Sequence, residues 1–225
     1  MKTRTALIGL ALALAASSVF AQAVPTRVRG TIQSFDGKQI TIAAADGSSV
    51  SLAVSPMTPV VYSVPKKLSD IKGGDFVATG GVTGKDGRIH ANEVRIFPAS
   101  MKGLGEGQYP MQAPGSSMTN ATILTTDGTV TMANGGGTMK MSFTGTATDA
   151  NGKCTGHAPP KGTAGCTGTT EVDVAAGVPI HEVVMGDQTL LKPGLAVSTF
   201  TATGPDGKPM ARLLSVEKDG VKPAM

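Results

Sequence analysis

Three methionines and a histidine, Met132, Met139, Met141 and His157, are the residues of this chain whose types and spacing could hold a soft metal. Thioether sulfur suits Cu(I). In "TMKMSF" the two-residue period of a strand puts Met139 and Met141 on one face. One reading is therefore a periplasmic copper-binding protein using this stretch. The other is that methionine fills core gaps where aromatics are scarce. The chain has 11 Met against six Phe, two Tyr and no Trp. Met57 and Met185 read as filler.

Cys154 and Cys166 are the two cysteines. An even number in an exported chain predicts a disulfide. A zinc site needs more thiolate or imidazole ligands at tight spacing than Cys154 and His157 offer.

Catalytic patterns are missing. There is no G-x-S-x-G elbow, H-E-x-x-H pair or phosphate-binding glycine loop. His90, His157 and His181 stand apart from one another and from any acidic pair. Asp86 and Asp206 each precede a glycine, where turn geometry accounts for them. The expectation is a protein that is not an enzyme and has no cofactor.

A third group, Glu106, Gln108 and Tyr109, lies in "PASMKGLGEGQYPMQAPGSS", residues 98–117. Glycine and proline break this stretch, and no alternation of apolar residues runs through it. It reads either as a linker or as a loop that binds a ligand, since long irregular segments in compact proteins tend to be functional.

The elements that must position these groups begin after the N-terminus. Lys2 and Arg4, the apolar run Ala6–Ala16 and Ala21-Gln22-Ala23 make a secretory signal peptide cleaved after residue 23. The run is too short to span a bilayer, which takes about 20 residues. Removing it takes away two of 20 basic side chains and leaves 18 against 16 acidic ones, a net +2. No basic cluster or row of stacking aromatics marks a nucleic-acid partner. The mature chain is expected to have no membrane span and to be periplasmic or secreted.

From residue 28 the chain alternates short β-branched runs with Asp-Gly turns, which predicts hairpins. Strands are expected over 28–35, 39–43, 49–54, 76–83 and 90–97, with a further one in "TPVVYSV" and one helical turn around Leu68 and Ile71. Such a set suits a small closed Greek-key barrel of OB-like type.

The pattern then recurs. Lys72–Ile96 aligns without a gap on Lys192–Val216 at a shift of 120, pairing Lys72/Lys192, Gly74/Gly194, Asp86/Asp206 and Gly87/Gly207. Nearer the start the shift falls to about 90, with Thr31-Ile32 on Thr122-Ile123 and "DGKQITIAA" on "DGTVTMAN". The difference places an insertion at 135–168. The expected fold is all-β: two tandem OB-like barrels, the second with an inserted β-hairpin. The boundaries are signal peptide 1–23, first barrel 24–97, joint 98–117, second barrel 118–221 and tail 222–225.

The V-x-G-T-[IV] opening at Val28–Ile32, the turn at Leu68–Asp75 and the joint "IFP…GEG…P…MTNATI" together resemble an exported bacterial family of one or two small β-barrel domains of unknown function. In relatives the joint carries His and Trp, where this chain has Gln108-Tyr109-Pro110. Some relatives are labelled metal-transporter permeases, a role that one short apolar run does not support. The resemblance implies a fold and no activity. The expectation is an exported non-enzymatic binding or structural module, its partner an unknown small molecule, saccharide or protein.

Overall fold

Asp-Gly steps turn the chain as their chemistry requires. In the computed structural model Asp36 Oδ1 accepts the amides of Lys38 and Gln39 at 2.8 and 2.7 Å. Gly37 supplies the positive φ of +90° that a side chain would resist. The structure describes residues 27–124, 130–133 and 136–223. The expected signal peptide lies outside them, as do the side chains of 125–135 and so that of Met132.

The protein is all-β. The first repeat forms β1 (Arg27–Phe35), β2 (Gln39–Ala44), β3 (Ser49–Ala53), β4 (Val60–Pro65), β5 (Phe76–Thr83) and β6 (Ile89–Phe97), with a 3₁₀ turn at Leu68–Asp70. The joint carries β7 (Gly107–Pro110). The second repeat forms β8 (Ser116–Ile123), β9 (Val130–Ala133), β10 (Gly136–Gly145), β11 (Ala147–Thr148), β12 (Cys154–His157), β13 (Cys166–Val174), β14 (Ile180–Gly186), β15 (Ala196–Thr203) and β16 (Pro209–Val216). The first-repeat strands fall where the turn pattern puts them. Among the described residues no helix is long and apolar enough to cross a membrane.

The pairing of these strands departs from two barrels in series. β1 pairs with β2, β2 with β3, β3 with β16, β16 with β15, and β15 with β1. That closed circuit takes three strands from the first repeat and two from the second. A matching circuit runs β8–β10–β13–β6–β5–β8. In each circuit the closing hairpin comes from the other half of the chain. The boundaries expected at 24–97 and 118–221 therefore cut through both circuits.

Two separate cores follow the same division. One joins Ile32, Ile40, Ile42 and Leu52 to Val197, Leu214 and Val216. The other joins Val77, Val94 and Ile96 to Ile123, Met139, Met141 and Val172. Burying one such side chain contributes roughly 1.5–3 kcal/mol, so neither circuit can release its borrowed hairpin cheaply.

The insertion also differs from the expected one. Ile42 faces Ile32 and Val50 in the first circuit, and Met141 faces Ile123 and Thr170 in the second. β10, not β9, is thus the counterpart of β2. The offsets are 122 − 31 = 91 at β1/β8, 141 − 42 = 99 at β2/β10 and 172 − 52 = 120 at β3/β13. Eight extra residues (99 − 91) precede β10 and 21 (120 − 99) follow it. Most of β10 is circuit rather than protrusion, so 135–168 is not one inserted hairpin.

Candidate functional site

The joint folds onto the second circuit. β7 pairs with β8 from Gly107↔Asn120 to Pro110↔Ser117 and with β12 at Gln108↔Gly156 and Gly107↔His157. The periodic apolar signal is missing because β7 is short and built on glycine. Gly107 has φ +135°, and a Cβ there would sit 2.1 Å from the Gly156 carbonyl oxygen. Only glycine lets the two backbones approach this closely.

The three joint candidates divide by role. Glu106 Oε1 accepts the Thr144 amide at 2.9 Å, and its carbonyl accepts the Ala158 amide at 2.7 Å. That residue ties β10 and the chain after β12 to the joint. Gln108 and Tyr109 both line an open cleft of about 430 Å³, with Met111, Ser116, Ser117 and Thr155, but their side chains leave β7 on opposite faces, Gln108 towards Thr119 and Tyr109 towards Asn120. Thr83 and Ile89, from the end of the β5–β6 hairpin, also line it. A volume of this order is that of a small-molecule site, about 300–1,000 Å³. No lining residue carries a charge.

Tyr109 is braced. The His157 ring stacks on it with centroids 3.7 Å apart, and Asn120 Nδ2 donates to its hydroxyl at 3.3 Å. Burial pushes the phenol above its ordinary pKa, offset in part by that hydrogen bond. Asn120 also donates to the Gly105 carbonyl at 2.7 Å and so clips the glycine turn ahead of β7. Asn120 sits in "MTNATI", and its place in the repeat is Arg29 in the first circuit, so the duplication gave no sign of its role. The disulfide Cys154–Cys166, S–S 2.07 Å, fastens β12 to β13 beside this assembly.

No family model, curated protein or solved structure matches the chain.

Of the proposed metal residues whose side chains are described, Met139 and Met141 lie in the core and His157 lies outside it. Met139 and Met141 are fully buried, in the places that Ile40 and Ile42 hold in the first circuit. His157 lies at the surface against Tyr109. Packing accounts for both methionines.

A cluster unseen in the sequence is Asp86, His90 and Asp173, whose ligand-type atoms lie within 4.8 Å of one another. The expectation that His90 stands clear of acidic groups is corrected: its Nε2 is 3.0 Å from Asp86 Oδ2. Asp173, however, is already occupied. Arg88 donates Nε and Nη2 to it at 2.5 and 2.6 Å, and Thr138 Oγ1 donates at 2.6 Å. The Asp173 carboxyl is held down at about 2, chiefly by the Arg88 hydrogen bonds. These bonds fasten the tip of the borrowed hairpin to β13 and β10. A cation here would have to displace Arg88.

Proposed function

We propose that this is an exported, non-enzymatic binding module of two OB-like barrels with exchanged hairpins, which takes a small uncharged ligand in the joint cleft. The observation that carries the reading is the bracing of Tyr109 at the cleft wall by His157 and Asn120. An aromatic ring fixed in place offers contact area without an ordering cost on binding. OB-type barrels bind through loops and one exposed face, and connections positioned on a rigid scaffold commonly carry function. The disulfide suits an oxidising compartment outside the cytoplasm. The uncharged lining favours a neutral ligand, because an ion bound there would lose hydration with no partner to replace it.

The test is native mass spectrometry, with elemental analysis, of protein recovered from the exporting cell. The reading expects a non-covalent organic adduct on the wild type that Tyr109→Ala abolishes, and no stoichiometric copper. An adduct unaffected by Tyr109→Ala, or a bound metal that survives dialysis, would move the function elsewhere.

A further inference from the structure

Two places related by the repeat, one under each 3₁₀ turn, have diverged. Each lies between such a turn and the connection that leads into a strand, into β4 at one and into β14 at the other. The connections turn alike: Thr58 N donates to the Ser55 carbonyl at 3.0 Å, and Val178 N to the Ala175 carbonyl at 3.2 Å. At the first circuit the place is bridged. Gln188, in the 3₁₀ turn Gln188–Leu190, donates Nε2 to the Ser55 carbonyl at 2.8 Å. The repeat partners of Gln188 and Ser55 are Leu68 and Ala175 (188 − 120 and 55 + 120). Leucine has no donor to offer, so the second circuit lacks the bridge. An open crevice of about 300 Å³ lies there instead.

Its wall is apolar. Leu68, Val174 and Ile180 belong to the second core, and Val178 packs against it. Its rim is basic, with Lys66 and Lys67 where the first circuit has Gly186 and Asp187. No acidic residue lines it. Lys66 Nζ is engaged by Glu182 at 2.8 Å. Asp70 Oδ2 is turned to the backbone, where it accepts the Lys67 amide at 2.9 Å. Lys67 itself is exposed, and its ammonium is in no ion pair among the described residues.

We propose that this crevice is a binding site for a small monocarboxylate with an apolar body. The body lies on Leu68, Val178 and Ile180, and the carboxylate meets the Lys67 ammonium at the rim. The volume equals that of about ten waters, which suits an acid of the size of benzoate or hexanoate. An inorganic anion would leave the apolar wall uncovered. Phosphate and sulfate are matched best by the fork of an arginine, whereas lysine offers one point charge. The site is separate from the joint cleft and goes beyond the reading above, so its failure leaves that reading untouched.

The experiment titrates benzoate and hexanoate into ¹⁵N-labelled mature protein while amide shifts are followed, with benzamide and hexanamide as uncharged controls of the same shape. The expected result is saturable movement at Lys67, Ser69, Ala175, Gly177 and Val178 with at least one acid. That acid should bind roughly two- to fivefold tighter than its amide, the range of an exposed ion pair. Lys67→Gln should bring the acid down to the level of the amide, and Lys67→Arg, which keeps the charge, should not. Equal binding of acid and amide, or an acid indifferent to Lys67→Gln, overturns the carboxylate assignment. Shifts confined to other residues, or none with either acid, overturn the site.

Discussion

Ser63 lies opposite Val183, and the two residues hold the same place in their repeats. β4 pairs antiparallel with β14 so that paired numbers sum to 246, from Pro65↔His181 to Val60↔Gly186. Repeat partners differ by 120, and only Ser63 and Val183 satisfy both conditions. A pseudo-twofold axis therefore passes between them. The parallel contacts obey it: Ile180 and His181 meet Val94 and Arg95, and Val60 and Val61 meet Leu214 and Ser215. So do single hydrogen bonds, Gly74 N to Ile123 O and Gly194 N to Ile32 O, at 2.9 and 2.8 Å. The two circuits are related by this axis, and each takes its closing hairpin from the other half of the chain.

Met139→Leu with Met141→Leu tests packing against metal binding. Leucine keeps the volume and apolarity of the places that isoleucines hold in the other circuit. Stability should change by less than about 1.5 kcal/mol. Copper content, by elemental analysis and competition with a Cu(I) chelator, should not change at all. Methionine-dependent Cu(I) binding would show that the core also serves as a metal site.

Asp173 should lend acid sensitivity to the second circuit. Its folded pKa is depressed to about 2, first by the hydrogen bonds from Arg88. An unfolded carboxyl titrates near 3.9. The contribution is thus present above about pH 4 and is lost as pH falls towards 2. Solvent screening keeps it below about 1 kcal/mol. Asp173→Asn should lower the melting temperature at pH 7, with the gap to wild type closing by about pH 2. A constant gap would mean that packing rather than charge is responsible. The first circuit has Ala53 at this place against Met210, so it has no counterpart of the clamp.

Reduction of Cys154–Cys166 should act on the cleft as well as on stability. Closing a loop with a sequence separation of 12 stabilises by roughly 3 kcal/mol in the chain-entropy account. Thr155 and His157, which reach Gln108 and Tyr109, follow Cys154 directly. Thermal melts with and without reductant should show the loss. The near-ultraviolet signal of Tyr109, in a Tyr62→Phe background, should change below the unfolding transition. An unchanged signal would mean that the disulfide does not hold the cleft.

Gly107→Ala should separate β12 from β7, since the new Cβ would meet the Gly156 carbonyl. The positive φ adds a backbone penalty of order 1 kcal/mol. Faster amide exchange at Gly156 and His157 is the expected outcome, with the first circuit protected as before. Uniform loss of protection would place the effect in the whole fold.

The strands themselves were legible because alternation and Asp-Gly turns are local signals. The pairing of β2 with its counterpart was misread: "DGTVTMAN" resembles "DGKQITIAA" by type, whereas the register of Met141 against Ile123 decides for β10. β7 carried no periodic pattern and is recognised only by its partners. The hairpin exchange was illegible for a deeper reason. The two similar halves offer β1 two hairpins of one pattern, its own and that of the other half, alike at Val77/Val197 and Thr79/Thr199, which face β8 and β1. Of the site, Gln108 and Tyr109 were visible as polar and aromatic residues in a glycine-rich stretch. Asn120 was not, because its role depends on the partners that the fold brings to it.

The hairpin exchange is the claim on which the circuits, the cores and the cleft wall depend, and interstrand nuclear Overhauser contacts test it directly. The account predicts backbone contacts between Val28 and Thr199 and between Thr79 and Thr119, as the strand registers place them. Two unexchanged barrels would instead bring Val28 to Thr79 and Thr119 to Thr199, and contacts of that kind would contradict it.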